Sequence, residues 1–306
     1  MCNKVQPLDF HPVSIEDKAR YEACLSASGE RGCEYSFANL YMWGEQNLAY
    51  ANGQAFLFSR FGQYCVYPHP VGEGDISQAI EAILAHAESH GNPCILSGIR
   101  PAEREVLERA FPNRFSYSQN VGAHDYVYAI DDLADLAGRK YHAKRNHCKK
   151  FETNHPNWRI ESLNEKNFSR AEEMIMQWYA QKEEATDGNF DMERRAIKRA
   201  FAAYHALELE GLLLLSDNEV VAVTIGSRLS RDTVDVHYEK ALSGVDGAYA
   251  MINREFARYI RERYPEVQYL NREEDMGIEG LRRAKESYYP QHRIEKFKAI
   301  PNKDLC

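Results

Sequence analysis

A chain of 306 residues, 44% hydrophobic and 27% charged, has ordinary globular composition and enough length for two cores. Its net charge of −8 argues against a general nucleic-acid-binding surface. The longest aliphatic stretch, Leu212 to Leu215, is far short of the ~20 apolar residues a membrane span needs. Met1 to Pro12 lacks the basic flank and apolar run of a signal peptide, so a cytoplasmic protein without a transmembrane segment is expected.

Seven cysteines are scattered at positions 2, 24, 33, 65, 94, 148 and 306 with no C-x-x-C pair, which reads as reduced thiols rather than a zinc ribbon or redox motif. The histidines show no metal-ligand spacing, so no metal is expected.

The first region runs to about residue 129. Glu16 to Ser26 reads as a short helix, and Cys33 to Gly44 as an aromatic-rich helical or irregular segment. Strands follow at Leu48 to Ala51, Ala55 to Arg60 and Tyr64 to Tyr67, joined by Asn52-Gly53 and Phe61-Gly62. Asp75 is placed to N-cap a helix over Ile76 to Ser89, whose Ile76, Ile80, Ile83, Leu84 and Ala87 share one face. A strand at Cys94 to Ser97, a helix at Ala102 to Ala110 and a strand at Asp125 to Ala129 complete a mixed α/β region.

The second region, 130–306, repeats the theme. A helix from Leu133 to Phe151 leads to a strand at Trp158 to Ser162. Helices at Arg170 to Lys182 and Met192 to Glu208 flank a turn at Thr186-Asp187-Gly188-Asn189. An antiparallel meander spans Leu212 to Ser216, Val220 to Arg228 and Thr233 to Lys240. Helix Tyr249 to Arg263, strand Val267 to Leu270, helix Glu279 to Tyr288 and strand Arg293 to Ala299 follow, then a frayed tail after Pro301.

The segment Tyr269 to Pro290 carries the most distinctive pattern: Asn271, Glu273, Asp275, Gly277, Gly280, Leu281, Arg282, Lys285, Ser287, Tyr288 and Pro290. It resembles the C-terminal signature of phosphatidylglycerol lysyltransferase catalytic domains, and the resemblance extends over most of 130–300. It implies an α/β fold of two tandem GNAT-like (Gcn5-related N-acetyltransferase-like) domains, 1–129 and 130–306. The element order of helix pair, three-strand meander, helix, strand, helix, strand agrees with it. The resemblance also implies transfer of an acyl or aminoacyl group to an amine or hydroxyl acceptor. The lipid enzymes of the family carry a long membrane-embedded region that this sequence lacks.

The candidate site residues follow from strand ends, where open α/β sheets bind ligands. Asn271 could orient a carbonyl or amine and Asp275 could bind an ammonium or relay a proton; the plain reading makes them a turn residue and a helix cap. Arg282, Lys285 and Tyr289 fall at i, i+3 and i+7, a face that suits a phosphate or carboxylate, or simply solvent. Arg272 adjoins them in the signature, and Tyr288 is either a proton-donating phenol or a buried aromatic. On the strand ending at Lys240, alternation puts His237 and Glu239 on one face and Tyr238 on the other, with Glu239 a general-base candidate or an ordinary edge carboxylate.

Arg139, Lys140, Lys144, Arg145, Lys149 and Lys150 form the strongest basic run, with Lys140, Lys144 and His147 making a helical stripe. The stripe suits a polyphosphate, the acceptor end of a tRNA or an anionic lipid headgroup, and a solvated face is the plain alternative. The loop Leu242 to Ala248 has Gly244 and Gly247 but no basic residue, and Asp246 opposes a phosphate, so support for CoA is weak. Aminoacyl-tRNA or acyl-CoA is therefore the expected donor and a small or lipid-like molecule the acceptor. A CoA-dependent N-acyltransferase and a non-catalytic small-molecule-binding protein are the alternatives.

Overall fold

The computed structural model describes residues 6–183 and 190–302. The turn expected at Thr186 to Asn189 lies outside the described residues, as does the expected tail beyond Asn302. The chain divides into two compact units. One holds residues up to Asp125 together with Glu274–Ile278 and those from Ile294 on; the other holds Tyr126–Glu273 and Glu279–Arg293.

In the first unit β1 (His11–Pro12), α1 (Lys18–Ser28) and α2 (Phe37–Trp43) precede the meander of β2 (Asn47–Ala51), β3 (Gln54–Phe61) and β4 (Tyr64–Pro68). The short β5 (Val71–Gly72) pairs with β3. Asp75 caps α3 (Ile76–Ser89) by accepting the Gln78 amide at 2.9 Å, as the sequence leads one to expect. β6 (Cys94–Ile99), α4 (Pro101–Ala110) and β7 (Phe115–Gln119) follow. No strand was expected at β7, whose alternation of Phe115 and Tyr117 with Ser116 and Ser118 covers only a short, largely exposed stretch. Phe56, Tyr67, Ile80, Ile83, Leu96 and Leu107 are buried together in this unit's core.

The second unit opens with β8 (Asp125–Ala129) and α5 (Ile130–Asp135). A single helix expected over Leu133 to Phe151 is broken: Leu136 takes a left-handed φ of 49° and Gly138 one of 81°, ending α5 before α6 (His142–Asn154) begins. β9 (Arg159–Ser162), α7 (Phe168–Glu183) and α8 (Asp191–Ala202) lead into the long meander of β10 (Glu210–Ser216), β11 (Glu219–Arg228) and β12 (Thr233–Ala241). Then come α9 (Ala248–Arg263), β13 (Tyr269–Asn271), α10 (Glu279–Glu286), β14 (His292–Ile294) and β15 (Phe297–Pro301). The strand expected over Arg293 to Ala299 is thus two strands.

The duplication is plain in the sheets. The first runs β1-β2-β3-β4-β6-β15-β7, and the second, read from its other edge, β9-β10-β11-β12-β13-β8-β14. In each, the fourth and fifth strands form the parallel pair, β4 with β6 and β12 with β13. In each, the sixth place is taken by a strand from outside the local run: β15 in the first sheet, β8 in the second.

Helix α9 packs on β10, β11 and β12, and α5 and α6 pack on α9. Its buried Met251, Ile252, Phe256 and Ile260 give a stripe at helical spacing. Helix α7 covers the opposite face of β11. Where Phe256 meets the sheet there is room only for glycine: a Cβ on Gly226 would lie 2.5 Å from the Asp235 carbonyl oxygen and 3.2 Å from Phe256 Cζ. Among the described residues no helix is long and apolar enough to cross a membrane.

Gly226→Ala is expected to lower stability by ~1–3 kcal/mol through overpacking. Gly280→Ala, with nothing within 4 Å of its Cβ, is expected to be neutral or to gain up to about 1 kcal/mol of helix propensity. Urea denaturation of the two variants checks the contrast.

Candidate functional site

β12 and β13 pair in parallel only from Thr233↔Tyr269 to Asp235↔Asn271. β13 stops there while β12 runs on to Ala241, so the two strands part and the side chains beyond Asp235 face an opening. At its mouth the Asn271 side chain accepts the Glu273 amide at 2.8 Å, turning the chain out of the strand.

A β-bulge sorts the residues on β12. Ile225 pairs with Tyr238 but Gly226 pairs with Val236, leaving His237 as the extra residue. Cross-strand partners share a face, and Ser227 and Thr224 lie on opposite faces of β11. Asp235, paired with Ser227, therefore lies on one face, and Glu239, paired with Thr224, on the other. Strict alternation had put His237 with Glu239 and Tyr238 opposite; the bulge reverses this, setting His237 and Tyr238 together on the α7 side and Glu239 on the α9 side. A bulge leaves no mark in the apolar pattern, which is why the sequence missed it.

On the α9 side, Glu239 is held from two directions. Its Oε1 accepts Arg272 Nη2 at 2.7 Å and its Oε2 accepts Asn253 Nδ2 at 3.0 Å. The pair is nearly enclosed, with side chains 14% and 9% exposed for Arg272 and Glu239. Burial works against the Arg272 charge, and the Glu239 carboxylate outweighs it, holding the guanidinium above its ordinary pKa. Arg272 lies 5.0 Å from the Tyr288 ring centre and 5.5 Å from that of Tyr128. Three buried atoms around Glu239 have no hydrogen-bond partner among the described residues: Arg272 Nη1, Asn253 Oδ1 and Thr224 Oγ1.

Lys144 reaches this face from α6. Its ammonium sits 3.8 Å above the Tyr288 ring and donates to Ser287 Oγ at 2.7 Å. Burial and then the like charge of Arg272 lower its pKa to about 8. Burial raises the Tyr288 phenol, with Arg272 pulling the other way, so it stays protonated. Lys285 is buried and donates to the Arg272 carbonyl, and the Tyr128 hydroxyl donates to the Lys285 carbonyl at 2.8 Å. Lys285 thereby secures the loop after β13. Tyr289 stands outside α10 with φ 53°, so it does not share a helical face with Arg282 and Lys285; Arg282 is half-buried in α10.

The rest of the basic run divides. Lys140 pairs with Asp132 at 3.0 Å, Arg145 donates to the Leu136 and Gly138 carbonyls, Lys150 pairs with Asp246 at 2.5 Å, and Lys149 is exposed. Lys140 precedes α6, so the stripe with Lys144 and His147 is not one helical face. Asp275 belongs to the first unit, where its side chain accepts the Gly277 amide at 2.8 Å in a turn.

On the α7 side, His237 Nε2 lies 2.9 Å from Ser227 Oγ, and its Nδ1 lies 3.5 Å from both Asp235 Oδ2 and Glu273 Oε1. Lys240 is buried there, 2.9 Å from Glu193 and 3.7 Å from the Trp178 ring centre, and burial lowers its pKa. The first unit has buried charge of its own. Lys296 Nζ sits 2.6 Å from Asp125 and 2.5 Å from Glu34, with Cys33 Sγ at 3.7 Å. Arg100, the residue after β6, joins Glu30 at 2.9 Å and Glu103. His237 was among the residues singled out from sequence; Lys240, Lys296 and Arg100 were not, and Lys240 and Lys296 meet partners remote along the chain, Glu193 and Asp125. A surface depression lined by Ala129, Arg261, Gln268 and Gln291 lies at the amino end of β13, opposite the end where the polar groups gather. The buried chemistry, rather than that hollow, defines the site.

Two like sheets, each opening at a parallel fourth and fifth strand, are the architecture of tandem GNAT-like domains. Over residues 26–300 the sequence matches the family model described as phosphatidylglycerol lysyltransferase, C-terminal, and the chain belongs to that family. A conserved protein of unknown function from Bacteroides thetaiotaomicron VPI-5482 is 33% identical, with TM-score 0.91, over 96% of this chain and 100% of that one. L-PGS from Bacillus licheniformis matches at 15% identity and TM-score 0.67 over 93% and 91% of the two chains. FemX matches at 11% and 0.60 over 97% and 98%. A comparison with curated proteins finds no match.

Glu239→Ala leaves Arg272 buried beside Lys144 without its counter-charge. It is expected to destabilise the protein by ~3–5 kcal/mol, measured by urea denaturation. Lys144→Met in the same background relieves the remaining like charge and is expected to restore part of the loss, giving a non-additive double-mutant cycle.

Proposed function

We propose that this protein transfers an aminoacyl or acyl group to an amine or hydroxyl acceptor across the opening between β12 and β13, with the donor held on its α9 side. The observation that carries the proposal is Arg272. One terminal nitrogen is held by Glu239, and the other is buried with no acceptor beside Lys144. A buried donor without an acceptor is costly, and an anionic group of the substrate would satisfy it. Arg272 and Lys144 then hold a phosphate or carboxylate, while Tyr288 offers a phenol that stays protonated.

Glu239 has both oxygens occupied, so we assign it to holding Arg272 rather than to removing the acceptor's proton. Asn271 and Lys285 position the loop that carries Arg272. We place the acceptor on the α7 side, against Tyr238, whose hydroxyl has no partner among the described residues. Arg282 remains a proposed substrate contact on the strength of the signature, and His237 on the strength of its place beside Tyr238. The relatives' names favour an aminoacyl group and a lipid-like acceptor. The exposed Arg139, Lys140 and Lys149 are the proposed contacts for a tRNA donor, working in the cytoplasm.

Geometry speaks against acyl-CoA. The amino end of α9, where a pyrophosphate would bind, is packed against α6: a Cβ on Gly247 would lie 2.3 Å from the His147 carbonyl oxygen and 3.0 Å from Phe151 Cβ. A carbonyl oxygen and the Asp246 carboxylate both oppose a phosphate there.

The test presents purified protein with labelled aminoacyl-tRNA or acyl-CoA, and with phosphatidylglycerol vesicles or small amines. Transfer from aminoacyl-tRNA is expected, with kcat/KM lowered at least ~100-fold in Arg272→Ala. Turnover with acyl-CoA overturns the assignment of aminoacyl-tRNA as donor, full activity in a folded Arg272→Ala protein overturns the site, and binding without turnover makes this a binding protein.

The proposal also sets a pH dependence. Lys144 loses its charge as pH rises through about 8, so the donor KM is expected to rise across that point. The inflection disappears in Lys144→Met. The sign for stability is the reverse. With the folded pKa below the unfolded value, the folded state binds fewer protons, so the Lys144 contribution improves as pH climbs from about 8 toward the ordinary lysine range.

A further inference from the structure

Three groups of ligand-type side chains gather within 4.8 Å among the described residues. In two of them a cation is already in place: Arg100 on Glu30 and Glu103, and Lys296 on Glu34 and Asp125. The third is formed by Asp235, His237 and Glu273. Its centre is an imidazole whose side chain is 1% exposed, and His237 Nδ1 makes no hydrogen bond among the described residues although two carboxylates face it. A buried ring nitrogen without a partner is an expensive arrangement unless something else meets it.

We infer that Asp235, His237 and Glu273 form a binding site for a divalent transition-metal ion of the zinc type. The inference goes beyond the transfer reaction proposed above, and its residues lie on the α7 face of β12, the face on which that reading places the acceptor.

The distances support a coordination site. Tetrahedral ligands about 2.0–2.2 Å from a zinc ion stand roughly 3.3–3.6 Å from one another. His237 Nδ1 lies 3.5 Å from Asp235 Oδ2 and 3.5 Å from Glu273 Oε1. One nitrogen and two carboxylate oxygens suit zinc or manganese, with a fourth position left for water or a substrate oxygen.

Ser227 Oγ at 2.9 Å from Nε2 supplies the second shell that ligating histidines ordinarily have: it takes the Nε2 proton and leaves the Nδ1 lone pair facing the carboxylates. The bulge at His237 turns the ring to that face, and Glu273, 25% exposed, gives an ion a way in from solvent.

Ser227, His237 and Asp235 also have the connectivity of a nucleophilic triad. The geometry speaks against that use. Ser227 is 4% exposed, and the Nδ1 hydrogen bond that would set the tautomer is not made.

The experiment titrates EDTA-treated, dialysed protein with zinc chloride, manganese chloride and magnesium chloride by calorimetry, with thermal shift alongside. One equivalent of zinc or manganese is expected to bind and raise Tm, with magnesium far weaker. Zinc-edge absorption is expected to show one nitrogen and two or three oxygens at about 2.0–2.2 Å.

His237→Ala should abolish binding. Because that change also removes a buried ring from the fold, Ser227→Ala is the second variant; it is expected to weaken binding ~10–100-fold with the metal-free Tm unchanged. Glu103→Gln and Cys33→Ser, in the other two clusters, should bind as wild type does. A flat titration overturns the inference. So does binding that survives both Ser227→Ala and Glu273→Gln, or that is lost in Glu103→Gln or Cys33→Ser.

Discussion

The ion pair of Arg272 with Glu239 spans the opening left where β13 ends and β12 continues, and the other groups on the α9 side are arranged around it. Asn253 on α9 takes the second oxygen of the carboxylate, Lys285 fixes the backbone that carries the guanidinium, and Tyr128 and Tyr288 flank its plane. Burial of an arginine and a glutamate yields little net stability, because desolvation offsets most of their attraction. The arrangement is better understood through what it fixes. It holds one guanidinium nitrogen so that the other points where no protein acceptor reaches. Lys144 intensifies this: burial, and then the neighbouring Arg272 charge, lower its pKa to about 8, and the second cation leaves the pair short of negative charge.

Much of the fold was legible in the sequence because it rests on local chemistry. The α3 cap, the first hairpin turn and the α3 stripe sit where Asp75, Asn52-Gly53 and the spacing of Ile80, Ile83 and Ala87 put them. The departures have separate causes, some local and some a contact remote in sequence. Helix α6 is separated from α5 because Leu136 and Gly138 take left-handed conformations, with Arg145 bonding both carbonyls. Strand β7 is polar and gains its place from pairing with β15. Tyr289 falls off the last helix because that helix ends three residues earlier.

The candidate site shows the same division. The signature from Asn271 to Pro290 pointed to Arg272, Lys285 and Tyr288, and Glu239 and Lys144 came from strand-end and charge reasoning. The structure gathers these five on one side of the second unit's sheet. What the sequence could not supply was the face of each residue, which the bulge at His237 decides. One inserted residue carries Glu239 to the α9 side and leaves His237 and Tyr238 on the α7 side. Thr224 and Asn253 carry no motif at all. The signal for them is a buried polar atom without a partner, which exists only once the chain is folded.

The repeated strand order explains why the polar groups gather where they do. In a sheet whose fourth and fifth strands run parallel, the chain must leave each of them at the same edge, and their ends cannot complete each other's hydrogen bonds. Each sheet meets this by placing charge at the end of the fifth strand, Arg100 after β6 and Arg272 after β13. In the first unit Arg100 is answered by two glutamates, Glu30 and Glu103. In the second, Arg272 has the single carboxylate of Glu239, with Lys144 added nearby. Burial pushes the Glu30 carboxyl up to about 9, so Arg100 is balanced by Glu103, and the same position in the duplicated fold carries a balanced charge in one sheet and an excess of cation in the other. The excess of cation at the second is the property an anionic substrate would select.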